Sequence, residues 1–87
     1  MMVAQAFDFM SLKPKVEQAL REQFPHDTIE LTEGYKGRVH VLVVSRQLNG
    51  KTEGEKQDYL WEVLRAELGE EAQAVSLVIG YGTDELR

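Results

Sequence analysis

The stretch Gly37–Gly54 constrains this chain most. Val39 to Ser45 holds four valines and a leucine around one histidine, His40. Such a density of β-branched residues predicts a strand. Val39, Val41 and Val43 share one face by period-2 alternation, and His40, Leu42 and Val44 share the other. Both faces are largely apolar, as suits a central strand rather than an edge. The run stops at Asn49-Gly50, a turn dipeptide, and Lys51, Thr52 and Gly54 lead into a helix.

The flanking segments read as neighbours of, or cover for, that strand. Leu12, Val16, Ala19, Leu20 and Phe24 recur at helical spacing. Ser11 is placed to cap this helix and Pro14 falls in its first turn. Glu17 and Arg21 are spaced as an i,i+4 pair, and Phe24-Pro25 ends the element. Thr28–Thr32 alternates as a half-buried strand, and Glu33–Gly37 closes a hairpin. After Gly50, residues Glu55–Leu68 form a helix with a stripe of Leu60, Val63, Leu64 and Leu68, ended by Gly69. Glu70-Glu71-Ala72 is a polar connection or a short helical turn. A third strand covers Val75–Ile79, broken by Gly80-Tyr81-Gly82, and Thr83 is placed to cap a last turn.

The order α-β-β-α-β, with a second short helix near the Gly50 turn, predicts an α+β domain. It has a three-stranded mixed sheet with helices packed on one face. Residues 1–10 are expected as a flexible N-terminal tail and 11–87 as a single domain. The helix-covered face is expected to hold Ile29, Leu31, Val39, Val41, Val43, Val75 and Leu77. The open face would then carry His40, Leu42, Val44 and Val78. That apolar patch suits a second copy of the chain, as a homodimer, or docking of the tail through Phe7, Phe9 and Met10.

Composition narrows the functions. The 87 residues contain no cysteine, which excludes disulfides and thiolate chemistry and suits a reducing, cytoplasmic setting. No apolar run approaches the length of a membrane span, and the N-terminus lacks the basic region of a signal peptide. The net charge of −5 opposes nucleic-acid binding unless a local basic patch exists. Arg38, Arg46 and Lys51, near the ends of the central strand, are the residues for such a patch. Gly50-Lys51-Thr52 lacks the glycine a Walker loop needs. Gly50–Gly54 is one residue too long for the phosphate-gripping GxxG clamp and is flanked by Glu53 and Glu55. Only two histidines exist, His26 and His40, and neither sits in a catalytic constellation. No enzyme, cofactor or metal site is expected, with His40 the one weak ligand candidate. Trp61 and Arg65, four apart, are placed to stack.

Val43-Val44-Ser45, Leu48, Gly50-Lys51, and Tyr59 followed by Leu64 resemble the core block of the BolA family. The closing AVSLVIGYGTDEL is similar to that family's last strand and acidic tail, with Asp84-Glu85 at the acidic pair. The resemblance spans roughly residues 12–86 and implies an α-β-β-α-α-β fold related to the type II KH fold. It also implies a non-enzymatic regulatory module acting through protein partners. Among these the family includes monothiol glutaredoxins, with which it shares an iron–sulfur cluster. The family's histidine positions fall here at Arg38, at Gln57 or Asp58, and at Gln73. Gln73 stands where the family has its cluster ligand, and an amide is a poor iron ligand beside imidazole. Arg38, Arg46, Gly50, Lys51 and Gln73 are the candidate contacts for a protein partner or a nucleic acid. A KH-like nucleic-acid-binding domain and an iron–sulfur adaptor using His40 are the alternatives.

Overall fold

A computed structural model describes residues Phe7–Leu86, and two helices cover one face of a three-stranded sheet in it. The elements are α1 (Phe9–Gln23), β1 (Thr28–Glu33), β2 (Val39–Val44), α2 (Glu53–Leu68) and β3 (Val75–Tyr81). Short 3-10 turns at Arg46–Leu48 and Gly69–Ala74 bracket α2. The sheet order is β1-β2-β3, with β1 antiparallel and β3 parallel to β2. This is the expected α+β architecture, with the valine-rich strand in the middle. Among the described residues no helix is long and apolar enough to cross a membrane.

The first helix starts earlier than expected. Asp8, not Ser11, holds the N-cap position, and the Ser11 hydroxyl donates back to the Asp8 carboxylate at 2.8 Å. The reason lies in the apolar stripe, which extends from Leu12 back to Phe9, and Phe9 packs on the core. Pro14 therefore sits inside the helix, where it forfeits a hydrogen bond. Residues 9 and 10 are thus not tail, and the Phe7 N–H donates to the Lys36 carbonyl at 2.9 Å; residues 1–6 lie outside the described residues. Arg21 does not pair with Glu17. Its guanidinium donates to the carbonyls of Phe24 (3.1 Å) and Asp27 (2.6 Å), satisfying acceptors beyond the helix end.

The second helix also starts earlier, at Glu53, because Thr52 and Glu55 form a reciprocal capping box. The Thr52 hydroxyl accepts from the Glu55 N–H, and the Glu55 carboxylate accepts from the Thr52 N–H at 2.8 Å. Leu60, Val63 and Leu64 then face the sheet and meet Val39, Val41 and Val43 in one core with Val16, Leu20, Phe24 and Leu48. The Phe24 and Tyr59 rings meet edge to face at 6.0 Å, joining the C-cap of α1 to the second turn of α2.

The third strand departs most from its sequence pattern. Val75 pairs with Val39 but Leu77 pairs with His40, so Ser76 is an extra residue in β3. A one-residue bulge exchanges the faces of everything after it. Val78 is therefore in the core at 3% exposure, and Leu77 is out at 43%. This reverses the expectation for both residues. Gly80 does not break the strand; it continues to Tyr81. Gly80 faces the helices, where a Cβ would lie 2.8 Å from Leu60 Cδ1 and 3.0 Å from Leu48 Cδ1, so the close approach of α2 requires glycine there.

Candidate functional site: the open face of the sheet

The bulge rebuilds the uncovered face. Three positions of each strand point to it, and the register aligns them in rows. Thr28, Val44 and Tyr81 form one row, Glu30, Leu42 and Ile79 the next, and Thr32, His40 and Leu77 the third. The β1 column is polar and the other two are apolar apart from His40. Leu77, Ile79 and Tyr81 are 43%, 39% and 40% exposed, while His40, Leu42 and Val44 are half-buried. A shallow groove of about 290 Å³ runs over the face between Glu30 and Tyr81.

Of the residues expected here, His40, Leu42 and Val44 are in place and Val78 is not. Ile79 and Tyr81 were missed because a regular alternation through β3 hides the slip at Ser76. Phe7, Phe9 and Met10 do not cover the face. Phe9 packs on the core, and the Phe7 ring lies under the Arg38 guanidinium at 5.1 Å. His40 lies against Gly34, close enough that a Cβ there would meet its ring. No group of three His, Cys, Asp or Glu residues gathers for a metal ion among the described residues.

The basic residues divide between the two ends of β2. Arg38 precedes the strand, while Arg46 follows it, about 26 Å away at the rise of an extended chain. Lys51 lies at the Arg46 end, its ammonium 5.2 Å above the Tyr59 ring. Gln73 lies in the turn before β3, at the Arg38 end. The structure thus does not join Arg38, Arg46 and Lys51 into one patch.

The Gly50 turn is locked to the far end of the chain. Gly50 takes φ 77°, and its N–H donates to the Asp84 carboxylate at 3.2 Å. Asn49 Oδ1 accepts from the Asp84 N–H at 3.2 Å, and its amide donates to the Thr83 hydroxyl at 3.0 Å. Thr83 thus bonds Asn49 rather than capping the last turn, and an anion at Gly50 would meet a carboxylate. Ser45, the end of Val43-Val44-Ser45, is buried; its hydroxyl donates to Asp27 at 2.7 Å and accepts from the Gln47 N–H. Trp61 and Arg65 stack as expected, at 5.5 Å.

Lys56 was not anticipated. Its side chain is 1% exposed, and its ammonium lies 2.8 Å from both the Glu53 and Glu85 carboxylates and 5.9 Å from the Tyr81 ring centre. The hydrogen bonds to Glu53, then Glu85, raise the Lys56 pKa. The Lys56 bond, then the Gly82 N–H, lower that of Glu85. The signal was positional: Lys56 precedes Leu60 by four and Val63 by seven, on the core stripe. Beside it, the Gln57 amide donates to the Val78 carbonyl at 2.6 Å.

The face leaves Leu77, Ile79 and Tyr81 exposed in one column beside half-buried Leu42 and Val44. No family model, curated protein or solved structure matches the chain.

Proposed function

We propose that this protein is a non-enzymatic, BolA-like binding module, cytoplasmic and regulatory, that acts through a protein partner docked on the open sheet face. The observation that carries the reading is the exposure of Leu77, Ile79 and Tyr81 beside half-buried Leu42 and Val44. Contiguous apolar surface on a small domain is characteristic of contact sites. The α-β-β-α-β order, with a 3-10 turn between α2 and β3, agrees with the frame the resemblance implies. A protein partner, such as the glutaredoxins of that family, is favoured over nucleic acid because Arg38 and Arg46 stand at opposite ends of β2. Gly50 already donates to Asp84, which further disfavours phosphate there. The cluster-sharing form of the reading is weaker, because Gln73 supplies an amide and His40 stands apart from it in the next strand.

The test is site-specific photocrosslinking in the native cell. A crosslinking side chain at position 79 is expected to capture a discrete protein, while one at position 67, on the outer surface of α2, does not. The same adduct from both positions, or none from position 79, would reject the open face as the contact.

A further inference from the structure

We infer that the partner segment seated on this face is an amphipathic helix with a basic flank. The inference rests on the reading of the open face as the partner contact. It follows from the dimensions and the charge of the grid.

Residues on one side of a strand repeat about every 6.6 Å, so the three rows span roughly 13 Å. The two apolar columns, Leu42–Val44 and Leu77–Tyr81, lie about 4.8 Å apart. The apolar area is therefore about one helix wide and between two and three turns long. A second copy of the chain is the other occupant this face could take. A helix presenting residues at i, i+3, i+4 and i+7 fits the two columns.

Charge decides between the occupants. Glu30 is the one formal charge among the nine grid positions and is exposed at the middle of the polar column. Two copies stacked face to face about an axis along the strands would put Glu30 over Ile79 of the other copy. An axis across the strands would put it over the other Glu30. Either arrangement buries a carboxylate without a partner. A helix with lysine or arginine on the flank above β1 gives Glu30 an ion pair at the rim and leaves Thr28 and Thr32 in water. The net charge of −5 steers the same kind of segment.

The probes are three synthetic peptides about four turns long. Two share a leucine stripe, one flanked by lysines and the other by glutamates. The third has the lysines but its leucines scattered around the helix. Each is titrated into the isotope-labelled full chain and followed by amide chemical shifts. The lysine-flanked peptide is expected to move Leu42, Leu77 and Ile79 and to bind several-fold tighter than the glutamate-flanked one. The scattered peptide is expected not to bind. Glu30→Lys, an exposed substitution, is expected to narrow the gap between the two flanked peptides. Equal affinity for both flanks, an unchanged gap in Glu30→Lys, or shifts confined to another surface would overturn the inference. So would a dimer in light scattering that Leu42→Lys dissociates, since the occupant would then be a second copy. If position 79 still crosslinks a protein while the peptides fail, only the helix is wrong. If that crosslink is absent, both readings fall.

Discussion

The ammonium of Lys56 donates to both carboxylate oxygens of Glu85, at 2.8 and 3.0 Å, across 29 positions of sequence. Lys56 belongs to the first turns of α2 and Glu85 to the turn after β3, so this pair fastens the end of the chain to the core. Glu85 is held in place in turn by the Gly82 N–H at 2.7 Å.

The pair makes stability depend on pH at both extremes. The Glu85 pKa is lowered from its ordinary 4.5, so its contribution is present above that value and is lost as pH falls through the folded-state pKa. The Lys56 pKa is raised from 10.5, so its contribution is complete below that value and is lost as pH rises through the folded-state pKa. Lys56→Met is expected to be less stable than the parent near neutral pH, with the gap narrowing at both extremes. Chemical denaturation across pH checks it. A gap that stays constant into the acid range would show that Glu85 gains nothing from Lys56.

Gly80 tests the packing of α2 on β3. In Gly80→Ala the new methyl meets Leu60 and Leu48 at 2.8 and 3.0 Å. Overpacking of this kind costs about 1–3 kcal/mol, against a gain of about 0.4–1 kcal/mol from the stiffer unfolded chain. A net loss is expected in urea titration, partly recovered when Leu48→Val is added to make room. A variant as stable as the parent would mean that the helix stands further from the strand.

Leu64 is fully buried between α2 and the valines of β2. Leu64→Ala is expected to lose about 2–5 kcal/mol, a large share of the stability of a domain this small. A loss under about 1 kcal/mol would contradict a closed core at this position.

What was legible followed from local pattern, and what was hidden depended on contacts distant in sequence. Val39, Val41 and Val43 announced β2 because strand propensity and burial agree there. The Leu60–Leu64 stripe located α2 for the same reason. Ser76 carries no mark of a bulge, since Val75, Leu77 and Ile79 alternate as regularly as a flat strand would. Only pairing with β2 shows that the alternation breaks. Lys56 sits on the core stripe four residues before Leu60, but its second partner, Glu85, lies far along the chain and no local pattern points to it. The Thr52-x-x-Glu55 capping box, by contrast, is readable in the sequence and sets the helix start at Glu53. For the candidate site, His40, Leu42 and Val44 were legible and Ile79 and Tyr81 were not, both outcomes following from the register of β3.

That register makes the sharpest prediction, because it assigns opposite fates to adjacent residues. Plain alternation from Val75 places Leu77 inward and Val78 outward. The bulge places Leu77 outward, 43% exposed, and Val78 inward, 3% exposed. A lysine at position 77 keeps its ammonium in water while its stem lies along the sheet. Leu77→Lys is therefore expected to cost no more than about 1 kcal/mol. A lysine at position 78 must carry its charge into the core formed with Val41, Leu60 and Leu64. No carboxylate waits there, since Glu53 and Glu85 are engaged by Lys56. Val78→Lys is expected to cost more than about 3 kcal/mol and to leave much of the protein unfolded. Val78→Ala separates lost packing from buried charge, and it should fold with a loss of about 1–3 kcal/mol. The three variants are compared by urea denaturation and by amide dispersion in the nuclear magnetic resonance spectrum. If Leu77→Lys proved the damaging substitution and Val78→Lys the harmless one, β3 would be regular. The open face would then carry Val78 in place of Leu77, Ile79 and Tyr81.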